Sequence, residues 1–329
     1  MNNILDKTLI ELQSDFKELK LPSFRAKQVF IWLHKKTVFN FALMTDLPES
    51  LRAELKNKYW IKTIREKTRV VSKDGTKKYL FELSEGYLIE SVLLQNKKDR
   101  KTLCVSTQVG CNQACSFCAT GTMGFKRNLE VSEIIGQVYE VMKENPELSN
   151  IVYMGMGEPF MNYENVVKSL RILIEPAGAC FGQRRITVST CGLPDKIMAF
   201  AREDFQVRLS VSLNAVDDTL RCQLMPVNRK HPLRELLSAI KYYTKKSGRI
   251  VTFEYIMIDG VNDSEADALK VVKICQGLGA KVNLIPYNMN NKKYKPSSQR
   301  TTDRFFDILT EHGVNGSLRY RKGEDISAA

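Results

Sequence analysis

The sequence predicts an α/β protein: a partial (β/α)6 barrel preceded by an N-terminal helical module and a small β-extension. Two observations lead there. From about residue 100, six short β-rich runs alternate with helical ones, as parallel βαβ units in right-handed succession require. Polar motifs recur just after those runs, at Gly155-Met-Gly-Glu-Pro, Ser189-Thr-Cys-Gly, Ser212-Leu-Asn and Pro286-Tyr-Asn. In α/β barrels the C-terminal strand ends carry the site, so the motifs point to one pocket. Periodicity does not separate this barrel from an open, doubly wound sheet, and both architectures stand at this point.

The elements follow in order. Residues 1–60 read as a helical accessory module: after Pro22-Ser23, Ala26, Val29, Phe30 and Leu33 recur at helical spacing, and a second helix fits Pro48 to Lys56. Residues 61–100 change character. Thr68-Arg-Val-Val, Tyr79-Leu-Phe-Glu-Leu and Tyr87-Leu-Ile-Glu-Ser-Val-Leu-Leu read as strands, with a turn at Asp74-Gly75, and form the β-extension. Residues 101–329 form the core. Its strands are expected at Leu103–Thr107, Ile151–Met154, Arg185–Ser189, Val207–Leu213, Val251–Ile258 and Lys281–Pro286. A helix is expected over Val131–Lys143, with Ile134, Ile135, Val138, Val141 and Met142 on one face and Ser132 as its cap.

Of the 329 residues 43% are hydrophobic and 26% charged, which excludes disordered, collagenous and coiled-coil chains. No apolar run approaches the ~18 residues of a membrane span. The opening Met1-Asn-Asn-Ile-Leu-Asp lacks a basic n-region and an apolar h-region, so a cytoplasmic protein without membrane contact is expected. Lys plus Arg outnumber Asp plus Glu by 50 to 37, a net charge of +13, which suits a polyanionic partner. A merely basic, soluble surface is the alternative.

Three of the eight cysteines crowd into Cys111-Asn-Gln-Ala-Cys115-Ser-Phe-Cys118. Three thiolates in one loop can converge on a metal centre. A structural zinc needs a fourth ligand; no second close Cys pair exists, and His34, His231 and His312 are far apart in sequence. A three-thiolate iron–sulfur cluster instead leaves one iron open to a substrate. An accidental Cys-rich loop is the third reading.

The Cys-x-x-x-Cys-x-x-Cys pattern, with an aromatic before its last Cys and Gly-Glu-Pro ending the next strand, resembles the radical S-adenosylmethionine superfamily. Cys104-Val-Ser-Thr-Gln-Val-Gly-Cys111, Thr120-Gly-Thr-Met-Gly-Phe-Lys-Arg-Asn, Met154-Gly-Met-Gly-Glu-Pro, Gly182-Gln-Arg-Arg-Ile-Thr-Val-Ser-Thr, Leu224-Met-Pro-Val-Asn and Val282-Asn-Leu-Ile-Pro-Tyr-Asn resemble the RlmN branch of the RlmN/Cfr family, as does Phe24-Arg-Ala-Lys-Gln-Val. The resemblance covers nearly the whole chain and implies a radical-SAM barrel. It implies one 4Fe–4S cluster on Cys111, Cys115 and Cys118, with S-adenosylmethionine contacts at Gly157, Glu158, Ser189, Ser212, Leu213, Asn214 and Asn288. Position 214 departs from the family, which commonly has His there.

The implied reaction is methylation of adenine carbon 2 in 23S rRNA and in certain tRNAs, with two S-adenosylmethionine molecules per turnover. That carbon is electron-poor and does not attack an electrophilic methyl, so a radical route suits it. In the family the first cofactor molecule methylates a C-terminal cysteine. The second yields the radical that activates that methyl for addition to the base. The adduct collapses as Cys104 forms a disulfide with the carrier, and Glu90 takes the proton. The resemblance also implies a monomer and an electron donor such as flavodoxin or ferredoxin.

The family's C-terminal pattern continues into Ala-Cys-Gly-Gln, whereas these residues read Arg321-Lys-Gly-Glu-Asp-Ile-Ser-Ala-Ala329. The expectation is a sequence that stops just before the carrier cysteine. Two alternatives are a catalytically incomplete homologue that binds cluster, cofactor and RNA, and a radical-SAM enzyme on a non-RNA substrate. For RNA contact, residues 61–103 hold 11 Lys/Arg against 6 Asp/Glu. Lys281, Lys292, Lys293, Lys295 and Arg300 form a second basic run, with Tyr287 and Tyr294 placed to stack on bases.

Overall fold

The computed structural model describes residues 2–95, 100–289, 293–319 and 322–327. The N-terminal module begins with β1 (Asn2–Asn3) and α1 (Leu9–Glu18), which starts at Thr8 because Thr8 and Glu11 cap each other reciprocally. In α2 (Ser23–His34) the expected stripe of Ala26, Val29, Phe30 and Leu33 is buried. The helix expected from Pro48 to Lys56 is α3 (Glu49–Lys58), followed by β2 (Tyr59–Trp60), which pairs in parallel with β1.

Next come β3 (Arg65–Val71), β4 (Lys77–Glu82) and β5 (Leu88–Gln95), an antiparallel meander. The chain turns at Asp74-Gly75, where the Asp74 carboxylate accepts the Thr76 N–H at 2.9 Å. Then follow β6 (Lys101–Cys104), the short ribbon β7 (Gln108–Gly110) with β8 (Phe125–Asn128), and α4 (Val131–Met142). Strands and helices then alternate: β9 (Leu148–Tyr153), α5 (Tyr163–Ile174), β10 (Ile186–Thr190), α6 (Pro194–Phe200) and β11 (Arg208–Ser212). After α7 (Asp218–Leu224) and α8 (Leu233–Ser247) come β12 (Thr252–Met257), α9 (Glu265–Leu278), β13 (Lys281–Pro286), α10 (Gln299–Glu311) and β14 (Gly316–Leu318).

Ten strands form one sheet in the order β14-β13-β12-β11-β10-β9-β6-β5-β4-β3. From β6 to β14 the neighbours are parallel and run in chain order with no reversal. A doubly wound sheet reverses at a switch point, so this one winds in a single sense and the barrel reading stands. β14 is a seventh parallel strand, too short for alternation to reveal it. The β5–β6 pair is antiparallel and makes the meander a continuation of the main sheet.

The cap of α4 also differs from expectation. Glu130 and Glu133 cap each other, while Ser132 is buried inside the first turn with its N–H on Asp6 at 2.7 Å. Val131 already has helical geometry, so a residue after it cannot occupy the cap position.

Register decides what the sheet shows on each face. Cys104 pairs with Val92 and with Val152, Val152 with Thr187, Ser189 with Ser210, Ser212 with Glu254, and Glu254 with Asn283. Paired residues and residues two apart share a face, so Glu90, Cys104, Ser189, Ser212, Glu254 and Asn283 all lie on one. The other face carries Leu103, Ile151, Tyr153, Val188, Leu209, Val211, Phe253, Tyr255 and Leu284, all buried. That face packs on helices: the Tyr153 hydroxyl meets Ser169 of α5 at 2.8 Å, and the Tyr255 ring lies 5.4 Å from Phe305 of α10. The polar face is therefore the inner one. No described helix is long and apolar enough to cross a membrane.

Candidate active site

The cysteine loop is pinched by the β7–β8 ribbon, where the Cys111 N–H donates to Gly124 O at 3.0 Å. Only glycine permits this closure at 110: its φ is +74°, and a Cβ there would lie 1.8 Å from Gly124 O. Inside the loop Cys118 N–H bonds to Cys115 O at 3.1 Å, and Ser116 N–H reaches Leu224 O of α7 at 2.9 Å. Ser116 Oγ also meets the Tyr294 hydroxyl at 2.9 Å. Cys115 and Cys118 pack against an apolar cluster that includes Phe117, Cys191, Leu224, Met225 and Tyr287.

Burial pushes the Cys111 thiol up to about 11, with Glu158 and Cys118 adding negative field. Burial raises Cys115 further, reinforced by Cys118, Cys111 and Glu158. Free thiolates are therefore costly here, whereas metal-bound ones are compensated by the metal's own charge. Among the described residues no group of three or more His, Cys, Asp or Glu is gathered to hold a metal ion. The three thiols reside on one loop without the fourth ligand that a structural zinc takes. His34, in particular, is buried against Tyr139, 2.8 Å from its hydroxyl. A thiolate-only donor set in apolar surroundings suits an iron–sulfur cluster.

Gly157 and Glu158 follow β9. At Gly157 φ is +101°, and a Cβ would approach Gln108 Cβ to 2.6 Å, so the turn requires glycine. Glu158 is 4% exposed. Its carboxylate accepts from Phe160 N–H at 2.9 Å, Thr190 Oγ1 at 2.7 Å and Cys191 N–H at 2.7 Å. Burial raises its pKa and those donors pull it back down. No cation pairs with it among the described residues, so it is equipped to receive one from a ligand, such as an amino group. Among the described residues the Asn288 side-chain oxygen and the Tyr287 hydroxyl are buried without a partner, a second open polar position.

Ser189 and Ser212 are half-buried on the inner face, and Leu213 is fully buried. Asn214 sits at φ +56°, a left-handed conformation that Asn tolerates better than most residues. Its side chain accepts the Ile256 N–H at 3.0 Å and reaches Met225 Sδ at 3.3 Å, tying the end of β11 to β12.

Burial pushes Cys104 up to about 11, opposed by the Met154 backbone and the Arg319 charge. Arg319 itself reaches Glu254 at 3.6 Å on the same inner face. Glu90 lies 3.5 Å from Lys78, whose ammonium also donates to Ser327 O at 3.1 Å. Residues 322–327 lie against the turn between β3 and β4. There Asp325 accepts from Ser72 Oγ at 2.5 Å and Gly323 N–H donates to Asp74 at 3.1 Å. The tail thus holds the β3–β4 turn and the ends of β4 and β5.

Sequence reasoning missed Lys78, Glu254 and Arg319, which gain their place through contacts between strands, and the buried Arg221 of α7, whose guanidinium holds the Cys191 backbone oxygen at 2.8 Å. The proposed stacking role of Tyr287 is corrected: it is 2% exposed and packs edge-on against Tyr294, 6.1 Å between ring centres. Lys292, Lys97 and Lys98 lie outside the described residues.

Residues 105–272 match the model of the radical SAM superfamily, and residues 2–61 match that of the ribosomal RNA large subunit methyltransferase N-terminal domain. A probable dual-specificity RNA methyltransferase RlmN from Dictyoglomus turgidum is 44% identical, covering 100% of this chain and 95% of its own. The protein so named from Thermotoga maritima is also 44% identical, covering 100% and 96%. The crystal structure of a radical SAM methyltransferase from Sphaerobacter thermophilus superposes with a TM-score of 0.93 at 44% identity, covering 100% of this chain and 98% of that one. The superfamily's cofactors, a 4Fe–4S cluster and S-adenosylmethionine, agree with the thiolate loop and the open polar positions around it. From motifs, fold and relatives together, this chain belongs to the RlmN family within the radical SAM superfamily.

Proposed function

We propose that this chain methylates carbon 2 of an adenine in 23S rRNA and in a subset of tRNAs, using two S-adenosylmethionine molecules per turnover. The observation that carries this reading is the inner sheet face, where Glu90, Cys104, Ser189 and Ser212 share one side beside the cysteine loop and Glu158. Cys111, Cys115 and Cys118 would hold the cluster. Gly157, Glu158, Ser189, Ser212, Leu213, Asn214 and Asn288 would hold the cofactor. Cluster and cofactor, when bound, supply the radical chemistry that an electron-poor aromatic carbon demands.

The chain's own residues supply the rest. Glu158 offers a desolvated carboxylate to the cofactor's amino group, and the Ser189 and Ser212 hydroxyls offer hydrogen bonds along the strand ends. Cys104 is a protonated thiol at neutral pH, held in reserve until its sulfur bonds to the carrier's sulfur as the base adduct breaks up. Glu90 accepts the proton lost from carbon 2. Ser327 shares Lys78 with Glu90, so the described end of the tail and the proton acceptor are tied to one ammonium group. The net charge of +13 favours the RNA partner.

The test incubates the protein, purified anaerobically from its own host, with S-adenosylmethionine, a low-potential flavodoxin or ferredoxin system, and unmodified 23S rRNA or tRNA. Nucleoside mass spectrometry should detect 2-methyladenosine. Unmodified RNA, or methylation only at carbon 8, would overturn the reading.

A further inference from the structure

Among the described residues two arginines are buried, and they meet different surroundings. The Arg249 guanidinium lies 4.9 Å from the ring centre of Tyr243, 5.6 Å from Phe200 and 6.0 Å from Phe205. Arg221, on α7, is fully buried. Among the described residues it reaches no carboxylate at ion-pair distance and faces no ring.

Every donor of Arg221 that the structure pairs goes to a neutral acceptor. Nε donates to Leu213 O at 3.1 Å and Nη1 to Asn228 Oδ1 at 2.8 Å, while Nη2 donates to Cys191 O at 2.8 Å and Ser212 O at 3.0 Å. These bonds satisfy the hydrogens without cancelling the charge, and a guanidinium does not shed its proton in proteins. A buried charge of this kind is costly unless an anion lies close.

On the solvent side the exposed Asp218 carboxylate lies behind Asn228, accepting its Nδ2–H at 2.8 Å; on the buried side what lies close is the cysteine loop. Leu224, one turn along α7, accepts the Ser116 N–H between Cys115 and Cys118. Cys191, whose carbonyl Arg221 holds, packs in one apolar cluster with Cys115 and Cys118. The Cys191 N–H in turn donates to Glu158 at 2.7 Å. A buried cation and a buried anion therefore grip the two ends of one residue beside the loop.

We propose that Arg221 is the fixed counter-charge of the iron–sulfur centre held by the cysteine loop, a positioning residue that favours the reduced state. The inference rests on Cys111, Cys115 and Cys118 being the cluster's ligands. Three thiolates leave an oxidised 4Fe–4S centre net negative, and one-electron reduction adds a further negative charge. A fixed cation in a poorly polarisable site stabilises the second state more than the first, which raises the potential.

The experiment is a redox titration of the reconstituted protein, without S-adenosylmethionine or RNA, followed by the electron paramagnetic resonance signal of the reduced cluster. Arg221→Gln should lower the reduction equilibrium constant at least tenfold, about 59 mV for one electron. Arg221→Lys retains the charge and should stay within threefold of the parent. Because losing four hydrogen bonds can unfold the chain, a paired exchange, Asp218→Asn with Asn228→Asp, provides a second route. It conserves net charge but moves a carboxylate from an exposed position onto Nη1, and should shift the potential in the same negative direction. A parent-like potential in the folded Gln variant or in the paired exchange would overturn the role of Arg221 and leave the ligands untouched. A parent protein that assembles no cluster would instead remove the ligand assignment, and the inference with it.

Discussion

The two faces of the sheet are built from alternate residues of the same strands, yet they meet different environments. Leu103, Val188, Val211 and Phe253 point toward the helices and are wholly buried. Cys104, Ser189, Ser212, Glu254 and Asn283 occupy the intervening or paired positions on the inner side. Apolar burial on the outer side holds the sheet in place, so the inner side is free to carry polar and reactive groups whose contribution to stability is small. Stability and chemistry should therefore be separable by substitution, one face at a time.

The largest effect should come from the rim of the inner face. Cys115→Ala should reduce reconstituted iron and sulfide to background, remove the visible charge-transfer absorption of thiolate-bound iron, and abolish methyl transfer. Iron and sulfide retained at the parent level would remove Cys115 from the ligand set. On the outer face, Phe253→Ala should cost about 3–5 kcal/mol of stability, read as a lower denaturant midpoint at unchanged slope. The fraction still folded should bind iron normally, and loss of iron from folded protein would break the separation of the faces.

Back on the inner face, Ser189→Ala should change stability by no more than about 0.5 kcal/mol. It should weaken S-adenosylmethionine binding by on the order of tenfold, about 1.4 kcal/mol, in equilibrium dialysis. An equal loss of stability and binding would mean that Ser189 belongs to the core. For Cys104, burial has raised the thiol to about 11. Its alkylation, followed by peptide mass spectrometry, should accelerate about tenfold per pH unit until that value, because only the thiolate reacts. A plateau from pH 9 upward would show an ordinary thiol. The smallest effect should follow Lys78→Met, which removes a partly exposed ion pair worth up to about 1 kcal/mol and one tether of the tail. Limited proteolysis should then cleave near residues 322–327 faster, and an unchanged rate would mean that Asp325 and Gly323 suffice.

Much of this was legible in the sequence. The six expected core strands fall within a few residues of those observed, and the helix at Val131 ends one residue from its expected boundary. Their signals are local, a repeat of two or of 3.6 residues bounded by turn formers. The cysteine loop and the Gly-Glu-Pro end were readable for the same reason, since each is a short spacing. The identity of Asn214 was not explained by sequence, because its reason is a left-handed backbone and a bond to Ile256 on the next strand. Tyr287 was misread because an aromatic beside lysines looks exposed until its packing against the cysteine loop is known.

By itself, then, the sequence determined the succession of elements, the thiolate loop and the strand-end motifs, all of them properties of neighbours along the chain. The tertiary structure alone decided the single winding sense, the seventh strand, the face that Glu90 and Cys104 share, the burial of Arg221 and the docking of the tail on the β3–β4 turn. Each of these depends on pairing between remote residues, as when Ser72 binds Asp325 or Arg221 binds Cys191. A one-residue slip in register would turn the inner face outward without altering any local pattern.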